Sequence, residues 1–194
     1  MSRALLAVLA ATTICAEPLP SWWTAMPQLS RLESRFVQQS ESEVFGSLKR
    51  HGTIQLAKGG RIRVAYSTGL LVVSDGSSLI QYDPAARTAQ RFILRSAAAD
   101  MPLLNVLLDL KALDASYRIL AAGPDRIRLE PRRPGLPPVQ LDGRGGYLHT
   151  VAWADSTGAK QTLELTNPHV PATPFAASVF RFQAPAATRW LGAK

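Results

Sequence analysis

The chain of 194 residues holds a single cysteine, Cys15, so no disulfide can form within it and a hydrophobic core must hold the fold. Its three histidines, His51, His149 and His169, stand far apart and without metal-ligand spacing. No serine lies in a nucleophile-elbow pattern and no glycine run matches a phosphate loop. Ser74-Asp75 reads as a turn cap, and Asp142, Asp155 and Glu164 as turn and surface residues. No catalytic residue, metal ligand or cofactor is therefore expected, and the chain is not expected to be an enzyme. Acidic charge is also scarce: 22 Lys and Arg face 14 Asp and Glu, for a net charge of +8 at pH 7. The bases alternate singly with apolar residues, as in Arg61/Arg63 and Arg126/Arg128, the pattern of a solvated sheet face. Without a concentrated patch or a known module, no nucleic acid partner is expected, although a basic face would help approach to anionic headgroups.

Long apolar runs are missing as well, apart from the first residues. Arg3 followed by the small apolar stretch Ala4 to Ile14 has the pattern of a signal peptide and is too short to span a bilayer. Residues 1–16 are read as this leader, cleaved after Ala16 although Ile14 is bulky for its position. Lipidation of Cys15 is the alternative, but Thr12-Thr13-Ile14-Cys15 lacks the small residue that should precede a lipidated cysteine. Residues 17–194 then form one exported domain, expected to be a monomer.

What is present is strand signal. In RIRVAYSTGLLVVSDGSSLIQYDP, residues 61–84, Ile62, Val64 and Tyr66 fall on one face and Arg61 and Arg63 on the other. Leu70 to Val73 is an apolar run, and Asp75-Gly76 is a hairpin signal because glycine accepts the positive φ of a tight turn. Further strand patterns run through Val37–Glu41, Gly52–Leu56, Thr88–Leu94, Tyr117–Ala121, Ile127–Glu130, Val139–Leu141, Leu148–Ala154, Gln161–Leu165 and Val179–Phe182. Trp22, Met26, Leu29, Leu32 and Phe36 are spaced as a helical stripe interrupted by Pro27, with Ser21 as its cap. Ala97 to Leu113 reads as a second helix, with Asp100 as N-cap and Pro102 in the first turn. The expected fold is mainly β: one highly curved antiparallel sheet of about eleven strands, an unclosed β-barrel with two helices as lid or plug. Its interior candidates are Ile54, Leu56, Ile62, Val64, Tyr66, Val72, Leu79, Phe92 and Leu94, a lining suited to a flexible hydrocarbon or, equally, a filled core.

Several motifs, in order, resemble the periplasmic lipoprotein-carrier family, LolA and its relatives. Lys58-Gly59-Gly60-Arg61-Ile62-Arg63-Val64 stands where that family reads roughly Arg-Pro-Gly-Arg-Phe-Arg-Trp. Val73-Ser74-Asp75-Gly76 and Tyr82-Asp83-Pro84 follow, with Phe36-Val37-Gln38 and Gly52 upstream and Asp155-Ser156-Thr157-Gly158 and Phe180-Arg181-Phe182 downstream. The resemblance implies an apolar cavity under an unclosed barrel that binds lipoprotein acyl chains. It also implies two partners, an inner-membrane release complex of ABC-transporter type and an outer-membrane acceptor. A family arginine that latches the lid corresponds to Lys58, which keeps charge but loses the planar fork, with Arg61 as the alternative. The family's mouth aromatics correspond to Ile62 and Val64.

Energetics limit how such a carrier can work. At about 0.8 kcal/mol per methylene, three chains of roughly fifteen carbons would give on the order of 36 kcal/mol, beyond the practical ceiling of about 20 for a reversible complex. Partial burial under a lid is therefore expected, with Leu103, Leu104, Leu107 and Leu108 as the lid face. The departures at Lys58, Gly59, Ile62 and Val64 keep a second reading open: the same fold binding another lipid or glycolipid, or acting as an envelope sensor or assembly module.

Overall fold

The alternation read from the sequence becomes twelve strands and two short helices in the computed structural model, which describes residues 17–44, 46–94 and 110–192. Helix α1 is Ser21–Ala25, and a 3-10 turn, Met26–Gln28, follows it. The first six strands are β1 Arg31–Ser42, β2 Gly46–Ala57, β3 Arg61–Tyr66, β4 Leu71–Asp75, β5 Ser78–Asp83 and β6 Thr88–Ile93. Helix α2, Leu110–Ser116, leads into β7 Tyr117–Ala121, β8 Arg126–Pro131, β9 Val139–Arg144, β10 Tyr147–Ala154 and β11 Lys160–His169. Strand β12 is Arg189–Leu191.

All twelve lie in one sheet, ordered β12-β6-β5-β4-β3-β2-β1-β11-β10-β9-β8-β7. Two meanders are therefore joined where β1 pairs with β11, and the sheet curves without closing into a barrel. The chain leaves the sheet at Ile93, next to one end, and returns at Tyr117, at the other. The unclosed, mainly β fold matches the sequence expectation. Pairing is antiparallel except at one edge, where β12 runs parallel to β6.

Three sequence expectations are corrected. Leu32 and Phe36 belong to β1, not to a helical stripe, because Pro27 converts the helix to a 3-10 turn within two residues of α1. Ser21 is the first helical residue rather than the cap, and its carbonyl accepts from Thr24 Oγ1 at 2.9 Å. Val179–Phe182 is not a strand: Ala177–Phe180 forms a 3-10 turn, and the twelfth strand comes later, at Arg189. The helix expected over Ala97 to Leu113 lies mostly outside the described residues, as does the leader.

The core forms on the inner face of the curved sheet. Along β1 it takes the alternate residues Leu32, Ser34 and Phe36, and along β8 Ile127 and Leu129, whose neighbours Arg126 and Arg128 stay exposed. At the β9–β10 end α1 covers this face. Trp22 lies flat against Gly143, where any side chain would collide with its ring, and its indole N–H donates to the Asp125 carbonyl at 3.0 Å. Trp23 meets Trp22 edge-on, with ring centroids 5.8 Å apart.

Candidate functional site: the inner face of β2–β6

Residues directly opposite in neighbouring strands share a face. Ile54, Val64 and Val72 line up across β2, β3 and β4. Leu56, Ile62, Ser74, Leu79 and Phe92 form the next row, from β2 to β6. Tyr66 stands opposite Gly52, and Leu94 follows Phe92 by two residues. The structure thus brings all nine interior candidates into one apolar surface, continuous with the core. Ile54, Leu56, Ile62, Leu79 and Leu94 are buried, whereas Val64, Tyr66, Val72 and Phe92 are only half-buried. The surface is therefore a packed floor with an apolar side left partly open.

Polar atoms on this face are satisfied locally. The Tyr66 hydroxyl donates to Gln38 Oε1 at 2.9 Å, and its ring stands edge-on to Phe36. Phe36 in turn covers Gly52, which has no room for a side chain. Burial pushes the Tyr66 phenol above its ordinary pKa, with Arg50 pulling weakly the other way. Ser34 Oγ donates to the carbonyls of Arg35 and Thr166 at 2.7 and 3.0 Å, sealing a bulge between β1 and β11.

The latch expectations are placed elsewhere. Lys58 is exposed in the β2–β3 turn, before β3 begins, so it does not share the strand parity of Ile62, Val64 and Tyr66. Its N–H donates to the Ser30 carbonyl at 3.0 Å and its carbonyl accepts from Arg61 Nε at 3.0 Å. Arg61 faces outward, with its guanidinium 5.6 Å from the centre of the Phe180 ring. The lid residues Leu103, Leu104, Leu107 and Leu108 lie outside the described residues.

Sequence reasoning missed what covers the outer face of β3–β6. The segment after β11 crosses it as a strap: Phe180 is buried, and Arg63 Nη1 donates to the Val179 carbonyl at 3.2 Å. Phe182 meets Tyr82 at a tilt and Trp190 edge-on, and Arg91 lies over Trp190. So Arg61 and Arg63 are not on a solvated face, because the strap packs over them. Beside it opens a groove of about 530 Å³, lined by Asp75, Ser77, Arg91, Arg181 and Phe182 among others.

The Asp motifs are turns. Asp75 Oδ1 accepts from Ser77 N, Ser77 Oγ and Ser78 N at 2.8, 2.8 and 3.0 Å, and Gly76 takes the positive φ of 102°. Those bonds hold its carboxyl below the ordinary carboxylate range. Asp155 is lowered likewise, first by the hydroxyl and then by the N–H of Thr157. Ser74 Oγ accepts from Gly76 N at 3.1 Å, the cap expected of it. Among the described residues no group of His, Cys, Asp and Glu could hold a metal ion, and no helix is long and apolar enough to cross a membrane.

An unclosed sheet with this motif order has a counterpart among known families: residues 28–183 match the outer membrane lipoprotein carrier protein LolA. The chain belongs to the LolA family. No curated protein matches it. Among solved structures, an uncharacterized conserved protein from Thermus thermophilus is similar at 12% identity and TM-score 0.54, over 89% of this chain and 97% of that one. A LolA superfamily protein from Nitrosomonas europaea gives 7% identity and TM-score 0.48, over 85% and 99%. MucB, in a Pseudomonas aeruginosa MucA/MucB complex, gives 14% and 0.44, over 85% and 60%. At 12% identity the likeness to the Thermus thermophilus protein is one of fold. Within the LolA family's span lie β1 to β11 and the Phe180 strap, so both faces described above belong to it.

Proposed function

We propose that the protein is a periplasmic carrier that holds the acyl chains of lipoproteins against its inner face and ferries them from the inner to the outer membrane. The observation that supports this reading is the half-open apolar surface of Val64, Tyr66, Val72 and Phe92, in a sheet that stops short of closure. Hydrocarbon chains need area rather than fixed polar groups, and this surface offers area. The work is binding and release without catalysis, and needs no cofactor. An inner-membrane release complex would load the cargo and an outer-membrane acceptor would remove it, while the signal peptide, residues 1–16, would direct export.

Native mass spectrometry with lipid extraction, on protein gently purified from its own periplasm, tests this. The expected result is co-purifying acylated lipoprotein on a monomer. A bound free phospholipid or glycolipid would transfer the fold to the second reading, another lipid or an envelope sensor. An empty protein that takes up no added acyl chain overturns the carrier reading.

A further inference from the structure

Tyr117 is the first residue of β7, where the chain re-enters the sheet after the long connection from β6. It is 0% exposed and belongs to the inner-face core, as does Leu113 four residues earlier in α2. Among the described residues its hydroxyl is the one buried side-chain polar atom without a hydrogen-bond partner. The contrast with its neighbours is sharp. Tyr66 reaches Gln38, the Trp22 indole reaches the Asp125 carbonyl, and Ser34 reaches two carbonyls. A fold that satisfies its other deep polar groups at similar depth leaves this donor bare, and an unpaired buried hydroxyl is destabilising unless something completes it.

We infer that Tyr117 donates its hydroxyl hydrogen to the ester or amide carbonyl at the head of an acyl chain lying on the inner face. This rests on the carrier reading. An O–H set in apolar surroundings calls for an acceptor carried by an otherwise apolar ligand, and the acyl carbonyl is the polar atom next to the hydrocarbon. Arg133, exposed two residues past Pro131, the β8 partner of Tyr117, would face the polar part beyond that carbonyl. Tyr117 is thus the point where the bound chain changes from hydrocarbon to head, and it fixes how deep the chain enters.

The test compares dipalmitoylglycerol with its dihexadecyl ether, which lacks carbonyls, by displacement of a fluorescent acyl probe from wild type and Tyr117→Phe. The ring is kept, so the variant should fold with an unchanged or raised Tm. Ester affinity should fall about five- to tenfold in the variant, while ether affinity stays the same. Full ester affinity in Tyr117→Phe overturns the assignment. So does a lowered Tm with both lipids weakened alike, because the hydroxyl would then have a partner inside the protein. Wild type that binds neither lipid overturns the carrier reading as well, which separates the two failures.

Discussion

Gly143 makes the plainest case of a residue whose identity is set by a contact. It lies inside β9, where a glycine weakens a strand, yet a Cβ there would occupy the Trp22 ring. Gly143→Ala should therefore destabilise the protein by about 1–3 kcal/mol in urea unfolding, the usual range for overpacking. It should also change the near-ultraviolet circular dichroism of the tryptophan pair. An unchanged midpoint would mean that α1 can lift off β9 freely. Single residues of this kind were not legible in the sequence, because Gly143 sits in Asp-Gly-Arg-Gly-Gly and reads as a turn. The interior candidates were legible, since strand parity alone sorts Ile62, Val64 and Tyr66 from Arg61 and Arg63. Parity could not say that a second layer would cover the arginines.

Elements were readable where their two faces differ in environment, and obscure where they do not. Most of the strands from β3 to β11 alternate or run apolar and were recognised, although β9 runs three residues and β11 four residues past the expected ends at Leu141 and Leu165. The outer half of β2, Gly46 to His51, is exposed throughout and pairs only with β1 on one side, so it carries no period to read. Leu32 and Phe36 are four apart, a spacing that fits one helical face and one strand face equally, and tertiary pairing with β2 and β11 decides for the strand. The strap misled for the opposite reason. Phe180 and Phe182 alternate like a strand, but they lie across a sheet face instead of at an edge, so the second is only half-buried. The strap's hold can be measured. Phe180 is 1% exposed, and Phe180→Ala should cost about 3 kcal/mol in urea unfolding, the lower end for a buried phenylalanine. Acyl-chain uptake per folded molecule should stay unchanged, because the strap lies on the face opposite Ile62. Loss of uptake without loss of stability would assign the strap a part in binding.

At the scale of the whole molecule, the carrier reading depends on the sheet having two different faces and two free ends. Val64 and Thr53 sit on adjacent paired strands but on opposite faces, the first half-buried inside and the second exposed outside. Val64→Glu should lower acyl-chain uptake at least tenfold by placing a charge on the apolar surface, whereas Thr53→Glu should leave uptake unchanged. Equal effects would mean that chains do not bind this face. The free ends matter for release. Since β6 and β7 stand near opposite ends, the connection between Ile93 and Tyr117 joins one end of the sheet to the other. Complete burial of several acyl chains would exceed any reversible affinity, so a carrier needs cover that contributes apolar contact and can be withdrawn. Leu103, Leu104, Leu107 and Leu108, the lid face expected from the sequence, lie in that connection among other apolar residues. Leu107→Glu should then weaken acyl-chain binding strongly while leaving the urea midpoint of the ligand-free protein nearly unchanged. A large fall in that midpoint would instead make Leu107 part of the permanent core. A variant with full binding would free this connection of any role as a lid and leave the half-open face to hold its cargo alone.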